Sequence, residues 1–342
     1  MNPVGVALVG YGYAGKTFHA PLIAAAPGLR LHTVVSSQGA AVKAGWPEVK
    51  VAADLDAALA DPEVELVVIA APNALHAALA RQALEAGRAV VVDKPFTLTA
   101  AEARDLAALA EARGLLLSVF HNRRWDADFL TLQALIAEGR LGRIIRFESH
   151  FDRYRPQVRD RWREANVPGA GVWYDLGPHL IDQALVLFGR PLGITADRAV
   201  VREGGRTTDY AHAVLRYDGF RAILHADMLS PASDLRFVVQ GERAGWLKDG
   251  LDPQEDALKA TGRAGGDDWG VDAHPGVLVD GASGARTPTP GLPGDYRRYY
   301  DDVAAALAGR APNPVPADQA VMVMEVLEAG LASHDRRAEI LL

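Results

Sequence analysis

Over the first 120 or so positions, short unbroken apolar runs alternate with alanine-rich stretches of helical period. The runs are Val4 to Val9, Leu31 to Val35, Val64 to Ala70, Ala89 to Val92 and Leu115 to Phe120. Strands covered on both faces read this way, and their alternation with helices predicts right-handed βαβ units and a parallel sheet. Thr99-Ala100-Ala101-Glu102 opens one of the helices as a capping box, ahead of an apolar stripe begun by Leu106 and Leu109. A further helix is expected from about Ala127 to Glu138. Beyond it the texture changes. Arg143 to Asp152, Tyr210 to Tyr217, Phe220 to Met228 and Asp234 to Gln240 alternate polar and apolar positions, as antiparallel strands with one covered face do. Asp218-Gly219 marks a hairpin turn. The glycine- and proline-rich stretch from Gly262 to Gly294 reads as surface loop, and helices around Tyr296 to Leu307 and Ala317 to Ala332 close the chain.

Composition narrows the class. The 342 residues are 49% hydrophobic and 23% charged, which excludes a disordered chain and leaves room for two domains. With 36 basic against 43 acidic side chains the net charge is −7, so nucleic acid is not an expected partner. The absence of cysteine excludes disulfides, thiolate zinc sites, iron–sulfur clusters and a cysteine nucleophile. No apolar run has membrane-spanning length, and Met1-Asn2-Pro3 has no basic region ahead of the apolar stretch that Gly10 stops; the expected setting is the cytoplasm, with no membrane partner.

Gly10-Tyr11-Gly12-Tyr13-Ala14-Gly15 matches G-x-G-x-x-G directly after the first run. Gly10 suits a tight turn, Gly12 lets main chain approach a pyrophosphate, and Gly15 allows close helix–strand packing. The expected fold class is α/β: an N-terminal Rossmann doubly wound parallel sheet over residues 1–120, then a C-terminal α/β domain with a largely antiparallel open sheet over 121–342. At the end of the second run, where a carboxylate would hold an unmodified ribose, stand Ser36-Ser37, with Lys43 beyond them and no acid before Glu48. Those hydroxyls and that lysine favour NADP, with NAD as the alternative. Pro72, Asn73 and His76 follow the third run, at the edge where cofactors bind.

Asp93-Lys94-Pro95 ends the fourth run, where a lysine lies beside the cofactor crevice rather than on a solvated helix face. In Asp175-Leu176-Gly177-Pro178-His179, Pro178 suits the first turn of a helix ending at Gly189. His179 then sits at a helix N-terminus, which favours the neutral, proton-accepting imidazole. Removing hydride from a secondary alcohol requires a base for the hydroxyl proton and a positive group for the oxygen; His179 and Lys94 divide that work, and Asp175 orients them or binds substrate. No metal is expected, since these groups lack a third clear ligand.

On these residues the sequence resembles the glucose-fructose oxidoreductase/inositol dehydrogenase family, Gfo/Idh/MocA. His121-Asn122-Arg123-Arg124-Trp125-Asp126, Phe151-Asp152-Arg153-Tyr154-Arg155-Pro156, Arg161-Trp162-Arg163 and Leu251-Asp252-Pro253-Gln254-Glu255-Asp256 look like the branch that oxidises scyllo-inositol with NADP. The resemblance implies Lys94, Asp175 and His179 as the catalytic set and Trp162 and Arg163 as cofactor contacts. It also implies Asn122 and Tyr154 in the pocket wall, and a homodimer or homotetramer built through the C-terminal sheet. Asn122, Asp152 and Tyr154 suit a polyhydroxylated ring, because each buried hydroxyl needs a partner. The family's lysine motif usually begins with glutamate, so Asp93 is a departure. The expected activity is reversible oxidation of a cyclic polyol to its ketone. The rivals are an aldose or sugar-derivative dehydrogenase, a non-catalytic NADP(H) sensor, and a methyltransferase using the glycine loop for another nucleotide.

Overall fold

A computed structural model describes residues 2–232 and 234–342, which pack as two compact units. The first runs to Trp125 and then takes back Pro253–Trp269 and Asp295–Val321; the second holds Asp126–Asp252, Gly270–Gly294 and Met322–Leu342.

The first unit opens with β1 (Val4–Val9), α1 (Ala20–Ala25), β2 (Leu29–Val35), α2 (Gly39–Gly45), β3 (Lys50–Ala52) and α3 (Leu55–Leu59). It continues through β4 (Leu66–Ile69), α4 (His76–Glu85), β5 (Ala89–Asp93), α5 (Ala100–Ala112) and β6 (Leu117–Phe120). The six strands are all parallel, in the order β3-β2-β1-β4-β5-β6. Val6, Ala7, Leu8 and the whole of β4 are inaccessible to solvent, which is why these strands are continuously apolar. The winding reverses between β1 and β4, the switch point where such sheets bind ligands. The capping box of α5 forms: Thr99 Oγ1 accepts from the Glu102 amide at 3.2 Å, and Glu102 Oε2 accepts from the Thr99 amide at 3.0 Å.

The second unit contributes α6 (Ala127–Ala137), β7 (Ile144–Asp152), α7 (Val172–Asp175), α8 (Gly177–Phe188) and the strands β8 (Gly193–Ala199), β9 (Tyr210–Tyr217), β10 (Phe220–Asp227), β11 (Leu235–Gly241) and β12 (Ala244–Asp249). Next come α9 (Gln254–Thr261) in the first unit, β13 (Gly276–Asp280) and β14 (Arg286–Thr289) in the second, and α10 (Arg297–Leu307) in the first. The chain ends with α11 (Ala317–Arg336), most of it in the second unit, and β15 (Ile340–Leu341). Nine strands form one mixed sheet, ordered β14-β13-β12-β11-β7-β10-β9-β8-β15, in which only β7 and β10 pair in parallel. Phe147, Leu224, Phe237, Val239 and Trp246 of its covered face are fully buried. Arg236 lies among them and donates to Asp128 Oδ2 at 3.1 Å, Ser149 Oγ at 2.7 Å and Gln183 Oε1 at 2.6 Å, tying α6, β7 and α8 together.

Besides the strands β3, β8, β12 and β15, which the sequence pattern did not predict, two features differ from expectation. The stretch from Gly262 to Gly294 contains the hairpin β13–β14: Val277, Leu278 and Val279 pair with Leu247, Trp246 and Gly245 of β12. Pro288 is tolerated because β14 is an edge strand, and the surrounding glycines and prolines hid the short apolar run. A single boundary near residue 120 also does not describe the two units. Tyr299 donates to Ser118 Oγ at 2.9 Å, Asn313 to the Leu117 carbonyl at 2.8 Å, and Gln254 to the Trp125 carbonyl at 3.1 Å, so later segments complete the first unit.

Candidate active site

The glycine loop follows β1, and each glycine there answers a different need. Gly10 has φ +99°, in the left-handed region, and a Cβ on it would stand 2.6 Å from the Ala70 carbonyl oxygen. A Cβ on Gly15 would lie 2.1 Å from the Gly10 carbonyl oxygen, so the turn of π-helix Gly15–His19 that leads into α1 packs directly on the loop. At Gly12 a Cβ would meet nothing within 4 Å; the main chain is open on that side. This is an anion cradle at a helix start, and it fits a dinucleotide pyrophosphate. Ala14 caps the helix without a side-chain bond, and Tyr11 is buried. Beside the loop a cavity of about 470 Å³ is lined by Tyr11, Lys16, Pro21, Trp46 and Arg263, among others; Lys16 and Arg263 are cations that the sequence pattern alone did not single out.

β2 ends at Val35, and Ser36 Oγ accepts from the Gln38 amide at 3.0 Å, while Ser37 is exposed. Lys43 is exposed on α2, with Nζ donating to the Pro47 carbonyl at 2.9 Å, a bond a phosphate would have to replace.

Register carries the row of strand ends further. Val9 pairs with Ile69, Ile69 with Val92, and Asp93 with Phe120, so the glycine loop, Ala71-Pro72-Asn73, Lys94 and His121-Asn122 follow four neighbouring strand ends. Asn73 and Asn122 are buried in one-turn helices there, and Pro72 is exposed. Lys94 is half-buried. Beneath it Asp93 accepts from the Lys94 amide at 2.8 Å through Oδ1, and its Oδ2 lies 3.8 Å from His19 Nε2. His19, wholly buried, holds Nδ1 2.6 Å from the Tyr300 hydroxyl. Burial opposes ionisation of Asp93, but hydrogen bonding and charge from His19, with the charge of Lys94, outweigh it and hold its pKa below the ordinary value. The carboxylate is therefore ionised. His19 and Tyr300 were missed by sequence reasoning; the only signal was a histidine in an otherwise apolar stretch after the loop.

In the second unit, Pro178 lies in the first turn of α8 and Gly189, at φ +71°, ends it. His179 is 5% exposed in that turn, with its ring 6.0 Å from Phe151. Asp175, the last residue of α7, faces Arg163 Nε at 3.7 Å, and the Arg163 guanidinium stacks 4.5 Å over Trp162. Behind this group Glu164 accepts from Arg161 Nε at 2.7 Å and the Arg159 amide at 3.0 Å, and pairs with Arg202 at 3.1 Å. Arg202 Nε also donates to Asp209 at 2.9 Å. Burial would raise the Glu164 pKa, but these donors and charges lower it on balance. The segment between β7 and α7, which has no long element of its own, is thus held by buried charge.

Three expected site residues, His76, Tyr13 and Asp152, stand elsewhere or are otherwise engaged. His76 is 1% exposed, with Nδ1 2.8 Å from the Pro95 carbonyl and Nε2 2.9 Å from the Ala71 carbonyl. Both ring nitrogens face main chain, so His76 positions the Lys94-Pro95 turn rather than a ligand. Tyr13 donates to Glu255 Oε1 at 2.5 Å, and burial together with Glu255 pushes its pKa up to about 12; the side chain fastens the loop to α9. Asp152 points to the sheet face opposite Phe151, whose ring contacts His179, because successive strand residues alternate in direction. Its partners are histidines on that other face, so it is not part of the His179 group. Tyr154 is 56% exposed after the end of β7.

Comparison with known proteins fits this geometry. Residues 4–121 match the description "Oxidoreductase family, NAD-binding Rossmann fold", and residues 133–341 match "Oxidoreductase family, C-terminal alpha/beta domain". The chain is 53% identical over 341 residues to the uncharacterized oxidoreductase YdgJ of Escherichia coli, covering 99% of each. It is 37% identical over 346 residues to the scyllo-inositol 2-dehydrogenase (NADP(+)) IolW of Bacillus subtilis, covering 100% of this chain and 97% of that relative. A solved structure of a putative oxidoreductase from Yersinia pestis superposes with a TM-score of 0.95 at 50% identity, over 100% of this chain and 97% of the other. With a nucleotide-binding sheet in one unit, a mixed sheet in the other and relatives alike from end to end, the chain belongs to the Gfo/Idh/MocA oxidoreductase family.

Proposed function

We propose that this oxidoreductase interconverts a cyclic polyol of the scyllo-inositol type and its ketone, using NADP. The observation that carries the reading is Lys94 at the Rossmann edge, with Asp175 and His179 at the head of α8, in a chain similar over its full length to an NADP-dependent scyllo-inositol dehydrogenase. The bound nicotinamide supplies the hydride acceptor. His179, in the neutral state that a helix N-terminus favours, takes the hydroxyl proton. Lys94 steadies the negative charge developing on that oxygen, anchored from below by ionised Asp93. Arg163 holds Asp175, which binds substrate or orients the histidine. Asn73 and Pro72 line the cofactor edge, and Asn122 offers a buried amide to a ring hydroxyl. The choice of NADP rests on Ser36-Ser37, with no carboxylate before Glu48, with Lys43 on α2, and with Lys16 and Arg263 lining the cavity beside the glycine loop.

Two further expectations belong to the proposal: a homodimer or homotetramer formed through the second unit's sheet, and a cytoplasmic setting. Among the described residues no helix is long and apolar enough to cross a membrane.

The test is a nicotinamide absorbance screen over inositols, aldoses and sugar acids with NADP and NAD. The expected outcome is fastest turnover of scyllo-inositol with NADP. A faster aldose would reassign the substrate, faster turnover with NAD would overturn the cofactor assignment, and nicotinamide binding without any turnover would make the chain a sensor. In the same assay His179→Ala should lower kcat/KM by about 10²–10⁴-fold while nucleotide binding is unchanged.

A further inference from the structure

The part-exposed face of the nine-stranded sheet carries a cluster that the reaction above does not use. His225 pairs with His150 of β7 and His212 of β9, and Asp227 pairs with Asp152, so all five side chains share one face. His225 Nε2 lies 3.6 Å from Asp152 Oδ1 and 3.6 Å from Asp227 Oδ2. One donor atom from each of Asp152, His225 and Asp227 falls within 4.8 Å of the other two.

Each of the three is held by a neighbour. Asp152 Oδ2 is 3.2 Å from His150 Nδ1. Asp227 Oδ2 accepts from Ser230 Oγ at 2.6 Å, and its Oδ1 accepts from the Leu229 amide at 3.3 Å. His225 Nδ1 lies 3.3 Å from His212 Nδ1, and the Tyr210 ring meets the His225 ring edge-on at 5.1 Å. His212 Nδ1, 3.3 Å away, is placed to accept from His225 Nδ1–H, which leaves the Nε2 lone pair of His225 aimed between the two carboxylates. Metal-bound imidazoles are commonly fixed in this way through their other nitrogen.

An independent observation points the same way. Asp152 has only 10% of its side chain exposed, and its Oδ1, the atom facing His225 Nε2, is buried without a hydrogen bond. A buried carboxylate oxygen left unsatisfied is costly, and a cation between it, His225 and Asp227 would satisfy it. Two carboxylates neutralise a dication, and an imidazole among oxygen donors selects zinc or a neighbouring transition metal over magnesium or calcium. We infer that Asp152, His225 and Asp227 form a divalent transition-metal site of the zinc type on this sheet face, distinct from the groups assigned to hydride transfer.

The test uses tag-free, full-length protein stripped with EDTA and titrated with zinc chloride alone, without nucleotide or polyol. Bound metal is read by equilibrium dialysis and elemental analysis. The expected result is one zinc per chain. An Asp152→Asn/Asp227→Asn double variant should bind at least about tenfold more weakly, and His212→Ala, which removes only the holder of His225, about 10–100-fold more weakly. Both should keep wild-type affinity for NADP. If the double variant does not fold, His225→Gln is read in the same way. Zinc at well under one equivalent in the wild type, or unchanged binding in the ligand variants, would overturn the site and leave His225 as a structural neighbour of the two carboxylates. Because the readout is metal stoichiometry, failure here leaves the dehydrogenase assignment standing, and failure of that assignment leaves this site standing.

Discussion

In the first unit the groups assigned to the nucleotide are placed by main chain: the φ of Gly10, the open side of Gly12, the contact at Gly15 and the in-register ends of four strands. In the second unit the corresponding groups are placed by charge. Arg163 on Asp175, and Glu164 among Arg161, Arg202 and the Arg159 amide, hold a segment that has little regular structure. The difference teaches where each half is vulnerable. A main-chain cradle is broken by adding a methyl group, and a charge-held segment by removing one charge.

The largest effect on stability should come from the second unit. Glu164→Gln deprives Arg161 of its carboxylate and leaves Arg202 with Asp209 as its one remaining carboxylate among the described residues, so the free energy of unfolding in urea should fall by about 3 kcal/mol. A loss below about 1 kcal/mol would mean that charge does not hold this segment, and the contrast between the units would fail. Next comes a paired test in the first unit. Gly15→Ala forces a Cβ against the Gly10 carbonyl and should cost about 1–3 kcal/mol, whereas Gly12→Ala should leave the melting temperature unchanged and weaken NADP binding in a fluorescence titration. Equal melting temperatures for the two variants would refute the separate roles. The smallest effect is on pH dependence. Burial lowers the His76 pKa, so the stability gained by keeping this ring neutral is complete above its ordinary value of 6.5 and is lost as pH falls through the folded-state value. His76→Gln should therefore flatten the fall in stability from pH 7 to pH 5, and an unchanged slope would place that titration elsewhere.

The same contrast explains what could be read from sequence. The glycine motif, the five core strands and the proline-to-glycine span of α8 are local patterns, and each is written in consecutive residues. Strand limits shifted by one or two residues, as where Val64 to Ala70 became Leu66–Ile69, because apolar flanks outlast the ladder of hydrogen bonds. The charge network was not legible, since Glu164 meets Arg202 across an unpatterned stretch. Nor was the pairing of His19 with Tyr300, 281 positions apart. Asp152 is a different case. The alternation that predicted its strand also set it opposite Phe151, and applying that period to the site would have removed it from the substrate pocket. His76 looked like a ligand contact because it follows a strand end, but both its ring nitrogens lie against main-chain carbonyls, one of which receives the N–H of the neutral ring.

The return of late segments to the first unit has a consequence for how the protein is made. Ser118 waits for the Val315 carbonyl 197 positions further along, and Tyr299 and Asn313 also reach β6 only near the end of synthesis. A ribosome that has released only the opening 125 residues therefore holds a nucleotide fold whose last strand is bare along one margin. Such a nascent fragment would be a client for chaperones, and a gene truncated there would yield a protease substrate rather than a free-standing cofactor domain.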